Sequence, residues 1–109
     1  MHELAITESV VASVSERFGD ARVLRVLLQI GKLSGVVPDA VRFCFDVCAR
    51  GTTLEGATLE IDEIPALARC RDCGVAVELE GFFGLCRCGS ANLEMLSGRE
   101  LKVREVEVA

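Results

Sequence analysis

The sequence predicts an α+β fold: two helices packed on a small three-stranded sheet, with a cysteine-rich, ribbon-like module inserted before the last strand. Three observations carry that reading. Two stretches of helical apolar period alternate with two of strand period through the first 64 of 109 residues. A segment opened by Pro65 and closed by Ser97-Gly98 breaks both periods and holds four of the six cysteines. Strand-like sequence then resumes.

Residues 3–18 read as a helix, with Leu4, Thr7, Val11, Val14 and Phe18 recurring every three or four positions and Ile6 and Val10 widening the stripe. Gly19-Asp20 ends it. Residues 22–32 read as a strand. Leu24, Val26, Leu28 and Ile30 form its apolar face, and Val23, Arg25, Leu27 and Gln29 form a mixed one. Residues 38–50 read as a second helix between Pro38 and Gly51, burying Val41, Cys44, Phe45 and Cys48. Residues 57–64 alternate apolar and acidic side chains, as in a strand with one solvated face. In the last stretch Leu101 and Val103 share one phase and Val106 and Val108 the other, which requires a bulge near Arg104-Glu105.

The net charge of −5 argues against nucleic acid or an anionic membrane as partner. No apolar run is long enough to span a bilayer. Glu3 and Glu8 stand where a signal peptide would be basic. A cytoplasmic location follows as the expectation. In that reducing setting clustered cysteines hold metal or do redox chemistry more often than they form disulfides.

Cys70 and Cys73 form a CxxC pair, and Cys86 and Cys88, twelve residues on, form a CxC pair. Two such turns can converge into the four-thiolate tetrahedron of a structural zinc site. Zinc peptides gain roughly 10–16 kcal/mol of folding free energy from the metal, which a segment of this length needs. The 65–97 segment balances three arginines against four carboxylates, without the basic stripe of a nucleic-acid-binding ribbon. A redox dithiol and structural disulfides are the competing readings. Cys44 and Cys48 sit four apart on one helix face, a spacing that suits ligands, but their apolar neighbours favour a core role.

The single histidine is His2. The Met1 amine, the His2 amide nitrogen and the His2 imidazole can chelate one ion through adjacent rings. That set suits Ni(II) or Cu(II), which accept planar, nitrogen-rich geometry. Glu3 is the nearest further donor. The ion displaces protons from the amine and imidazole, so such a site weakens as pH falls. It also lies at the positive end of a helix dipole. A weak, exposed site of this kind suits handing a metal on. Taken alone, a histidine beside a terminus is more often an ordinary surface residue.

Together "MHELAITESVV", "LQIGKLSGVVPDAVRFCFD", the CxxC pair and "CGSANLEMLSGRELKVREVEV" give a chain that resembles the HypA/HybF family of hydrogenase nickel-incorporation proteins over essentially its whole length. The resemblance implies a nickel metallochaperone and not an enzyme. It implies a nickel-binding α/β domain of residues 1–64 plus 98–109, and a zinc-binding, zinc-ribbon-like domain of residues 65–97. Met1, His2 and Glu3 match the nickel-binding start. Cys70, Cys73, Cys86 and Cys88 match the zinc ligands, although the family usually writes the second pair as CPxC and this chain has Cys86-Arg87-Cys88. Ni(II) is then transferred cargo and Zn(II) structural. The implied partners are a hydrogenase maturation GTPase and the large subunit precursor of [NiFe]-hydrogenase, with a monomer or homodimer as the assembly. A zinc-ribbon adaptor working only through protein contacts is the alternative. A thiol oxidoreductase, needing a low-pKa cysteine, is a further one.

Overall fold

Helix α1 (His2–Phe18) buries one side chain per turn: Glu3, Thr7, Val11 and Val14. The computed structural model describes residues 2–80 and 84–109. The buried stripe begins one position earlier than the apolar pattern indicates. Leu4 is exposed, while Glu3 is only 7% exposed. The exchange is possible because Glu3 has polar partners in the interface, and its carbonyl also accepts the Thr7 hydroxyl at 2.6 Å. Gly19, at φ +60°, ends the helix in the left-handed region with its N–H on the Ser15 carbonyl at 2.9 Å.

Strand β1 (Val23–Gly31) is the centre of the first sheet, whose order is β2-β1-β6. Helix α2 (Pro38–Ala49) carries the chain from β1 to β2 (Thr58–Ile64), which lies parallel to β1 as a crossover connection requires. β6 (Leu101–Val108) pairs antiparallel on the other side. The helices cover one sheet face. Val11 and Val14 of α1 join Val23, Val26, Phe45 and Leu54 in one buried cluster. Leu28, Ile30, Val36 and Val41 form the next, with Leu59 and Val103 packed against both. Cys44 and Cys48 are half-buried, and Cys48 packs on the first cluster.

Two register slips shape the sheet. The expected apolar face of β1 fails at its start, where Val23 is buried and Leu24 is 42% exposed. Val23 pairs with Val108 but Arg25 with Glu107, so Leu24 is an extra residue and alternation is reset there. The second slip is the expected bulge. Leu27 faces Glu105 and Leu28 faces Val103, leaving Arg104 as the inserted residue. Val103 and Val106 thereby both reach the core. On the opposite face Arg25 ties all three strands together, with Nη1 3.1 Å from Glu60, Nη2 3.1 Å from Glu105 and Nε 3.4 Å from Glu107.

Between Pro65 and Gly98 the chain builds a second sheet of order β4-β3-β5 from β3 (Ala66–Cys70), β4 (Ala76–Leu79) and β5 (Leu93–Ser97). Where the two sheets meet, the backbones touch. A Cβ on Gly31 would lie 2.2 Å from the carbonyl carbon and oxygen of Gly98. A Cβ on Gly98, which holds φ +119°, would lie 2.7 Å from Ala66 Cα. The Leu33 N–H donates to Gly98 O at 2.6 Å and the Ser97 hydroxyl to Pro65 O at 2.8 Å.

Candidate metal centre

Among the described residues the second sheet has only a small core: Ala66, Ala68 and Leu79 are buried, with Leu33, Val77, Leu93 and Met95 partly buried against them. Burying a leucine is worth roughly 1.5–3 kcal/mol. Ordering each residue's backbone costs about 1–2 kcal/mol. So small a core gains from a further source of stability, and the cysteines stand where it would act.

Cys70 ends β3, and the chain turns back so that the Gly74 N–H reaches the Cys70 carbonyl at 2.8 Å and the Cys70 N–H reaches Val75 O at 2.9 Å. Gly74, at φ +81°, permits the turn. The second turn repeats this plan with one residue fewer: the Gly89 N–H donates to the Cys86 carbonyl at 2.8 Å, and the Cys86 N–H to Ser90 O at 2.9 Å. The short CxC pair is therefore accommodated by closing the turn three residues on, not four. Cys70 and Cys86 are buried, Cys73 and Cys88 exposed.

All four sulfurs lie within 4.8 Å of one another. Cys70 and Cys88 Sγ are 3.7 Å apart, and Cys73 and Cys86 Sγ 3.4 Å. Thiolates around one tetrahedral zinc, at about 2.3 Å from the metal, stand about 3.8 Å apart. The separations are far beyond a disulfide bond, and all six cysteines are free thiols. The donor set thus fits a soft tetrahedral cation. The Cys70 thiol is pulled down to about 6 by the backbone N–H of Cys73, helped by that of Asp72. The Val75 N–H pulls Cys73 the same way, but the crowding thiol of Cys86 and burial outweigh it and push Cys73 up to about 12. Cys88 is likewise raised: its Ser90 N–H is outweighed by the Cys86 and Cys70 thiols. One thiolate forms readily and further ones are opposed, a frustration that a bound cation relieves.

A polar latch that the spacing argument missed joins the two turns. The Ser90 hydroxyl donates to Asp72 Oδ2, and the Asn92 side-chain amide reaches Asp72 Oδ1 at 3.5 Å. Arg71 Nη1 donates to Asn92 Oδ1 at 3.3 Å. Its sequence signal was the turn chemistry beside each pair, Asp72 in one and Gly89-Ser90 in the other.

At the other candidate centre, Met1 lies outside the described residues. His2 opens α1, with its side chain 58% exposed and Nε2 3.3 Å from Glu3 Oε2. The same Glu3 oxygen accepts the Val37 N–H at 3.2 Å. That donor comes first among the causes that hold Glu3 below the ordinary carboxylate range. The first N–H groups of a helix have no intrahelical acceptor, so the His2 amide is not committed to the helix ladder. Cys44 and Cys48 join neither centre. Burial, with Glu8 and the Cys44 thiol, pushes the Cys48 thiol up.

Two helices on one small sheet, joined to a second sheet that presents four converging thiols, define a small α+β protein equipped to hold a metal ion. The family model "HypA: Hydrogenase/urease nickel incorporation, metallochaperone, hypA" matches residues 1–108, and the chain belongs to that family. The family is one of metallochaperones and maturation factors, not enzymes. The chain is 58% identical over 108 residues to the hydrogenase maturation factor HypA of Trichormus variabilis, covering 99% of this chain and 96% of that one. It is 50% identical over 109 residues to that of Geotalea uraniireducens, covering 99% of both. The fold matches the solution structure of the Ni metallochaperone HypA from Helicobacter pylori with a TM-score of 0.64 at 21% identity, over 97% of this chain and 96% of that one.

Proposed function

We propose that this chain binds Ni(II) at its amino terminus and delivers it, in the cytoplasm, to the large subunit precursor of [NiFe]-hydrogenase in concert with a maturation GTPase. The nickel donors are the Met1 amine and the His2 amide and imidazole nitrogens, with the Glu3 carboxylate beside them. Residues 1–64 and 98–109 form the nickel-binding domain. Residues 65–97 form the zinc-binding domain, with Cys70, Cys73, Cys86 and Cys88 as ligands. Zinc there closes two turns that the small core leaves underdetermined, and it supplies structure, not reactivity.

The observation that carries the nickel reading is the meeting of His2 Nε2 and Glu3 Oε2, 3.3 Å apart at the start of α1, in a chain whose family handles nickel. The test is a Ni(II) titration of the untagged, zinc-loaded protein beside its His2→Ala variant, followed by calorimetry and visible absorption near neutral pH. One saturable site is expected in the native chain and none in the variant. Equal binding, or none in either, removes the terminus from the mechanism and leaves a zinc-containing adaptor.

A further inference from the structure

We propose that two copies of this chain associate through β6, pairing antiparallel about a twofold axis between Arg104 and Glu105. β6 is an edge strand of the first sheet, so one side of its backbone faces no neighbour among the described residues. Charged residues on an edge ordinarily prevent pairing. Here the order of signs does the reverse. In "LKVREVEV" the two cations precede the two anions, with apolar residues between them. Set antiparallel against itself, the strand places Lys102 opposite Glu107, Arg104 opposite Glu105, Val103 opposite Val106 and Leu101 opposite Val108. Every charge meets its opposite and every apolar residue an apolar one. Parallel pairing in register would set like charges together, so the pattern also fixes the orientation.

Directly opposed residues must point to the same face, and they do. Val103 and Val106 both pack on the helix-covered side. Leu101 and Val108 pair with the buried Ile30 and Val23, which puts them on that side too. They are 39% and 37% exposed, and the partner strand would cover them. Glu105 and Glu107 lie on the open face with Arg25. Lys102, opposite Gln29, lies there as well. The bulge sets Arg104 and Glu105 together against one partner residue, and the proposed pairing takes both on the same side. Without the bulge the signs would match but the faces would not. Lys102 and Arg104 form no ion pair within the chain among the described residues. Their opposites come from the second copy. The result is one six-stranded sheet of order β2-β1-β6-β6-β1-β2.

Sedimentation of the full chain at micromolar concentrations, with zero-length carbodiimide cross-linking, tests this. Lys102 and Glu107 are about 17 Å apart along one strand, so an amide between them has to join two molecules. A concentration-dependent dimer carrying that cross-link is expected. The K102E/R104E variant is expected to dimerise at least about tenfold more weakly, since four attractive pairs become repulsive. Asp62→Lys, on the opposite edge strand, should leave the dimer unchanged. A monomer at all concentrations, a dimer lacking the Lys102–Glu107 cross-link, or a K102E/R104E variant that dimerises as tightly as the native chain would each overturn the proposal. Should that variant fail to fold, the cross-link in the native protein still decides.

Discussion

The carboxylate of Glu3 accepts a hydrogen bond from the backbone N–H of Val37, 34 residues further along the chain. Val37 is the N-cap of α2 and has no capping side chain of its own. A residue offered by the sequence as a metal donor thus also serves as a long-range cap that fastens the start of one helix to the start of the other.

Glu3→Ala should therefore lower the melting temperature by a few degrees even in metal-free protein, because the α2 cap loses its acceptor. The pH dependence has a defined sign. Glu3 is held below its ordinary value of 4.5, so its contribution is fully present above that value and is lost as pH falls through the lower folded one. Acid unfolding followed by circular dichroism should be steeper in the native chain than in Glu3→Gln. Equal profiles would show that the charge on Glu3 adds nothing to its bond with Val37.

An extension before Met1 should weaken Ni(II) binding at least about tenfold, since it converts an amine donor into an amide. Calorimetry on tagged and untagged protein measures the difference. The same change should leave zinc content untouched.

Cys73→Ser, or a strong chelator, should empty the four-thiol centre and collapse β3–β5 while the helix-backed sheet persists. Amide chemical-shift dispersion read residue by residue separates the two regions. Full zinc occupancy in the variant would remove Cys73 from the ligand set.

Asp72→Ala should cost about 1 kcal/mol by opening the latch to Ser90 and Asn92. Zinc release to a competing chromophoric chelator should be faster, with stoichiometry unchanged.

Gly31→Ala should destabilise by at least about 3 kcal/mol, because the new Cβ meets backbone that cannot rotate away. Thermal unfolding measures it, and a variant with native stability would contradict the contact with Gly98.

The element order and most of the core were legible because apolar period reports burial directly. The bulge at Arg104 was legible for the same reason: two valine pairs out of phase cannot share a face without it. The frame of α1 was not, since hydrophobicity alone ranks Leu4 inside and Glu3 outside, and it does not see the polar partners of Glu3, the distant Val37 N–H among them, that reverse that order. The slip at Leu24 was hidden because Val23 and Leu24 are both apolar and either could face inward. Cysteine spacing located the thiol cluster but left the fit of the short CxC turn open. Closure of that turn depends on backbone bonds from Gly89 and Cys86, which spacing does not encode. The three strands of the second sheet escaped because Ala66, Ala68 and Cys70 make a small, weakly apolar pattern.

Arg25 binds Glu107, 82 positions further along the chain, and the whole second sheet lies within that span. The β3–β5 segment can fold from near neighbours, while β1 must wait for a strand that follows all of it. Closing so long a loop carries its entropic cost before any ladder forms in return. On an elongating nascent chain the thiol cluster is complete while the edge of β1 is still bare. Refolding should show the same order, with the β3–β5 amides protected from exchange before those that join β1 to β6.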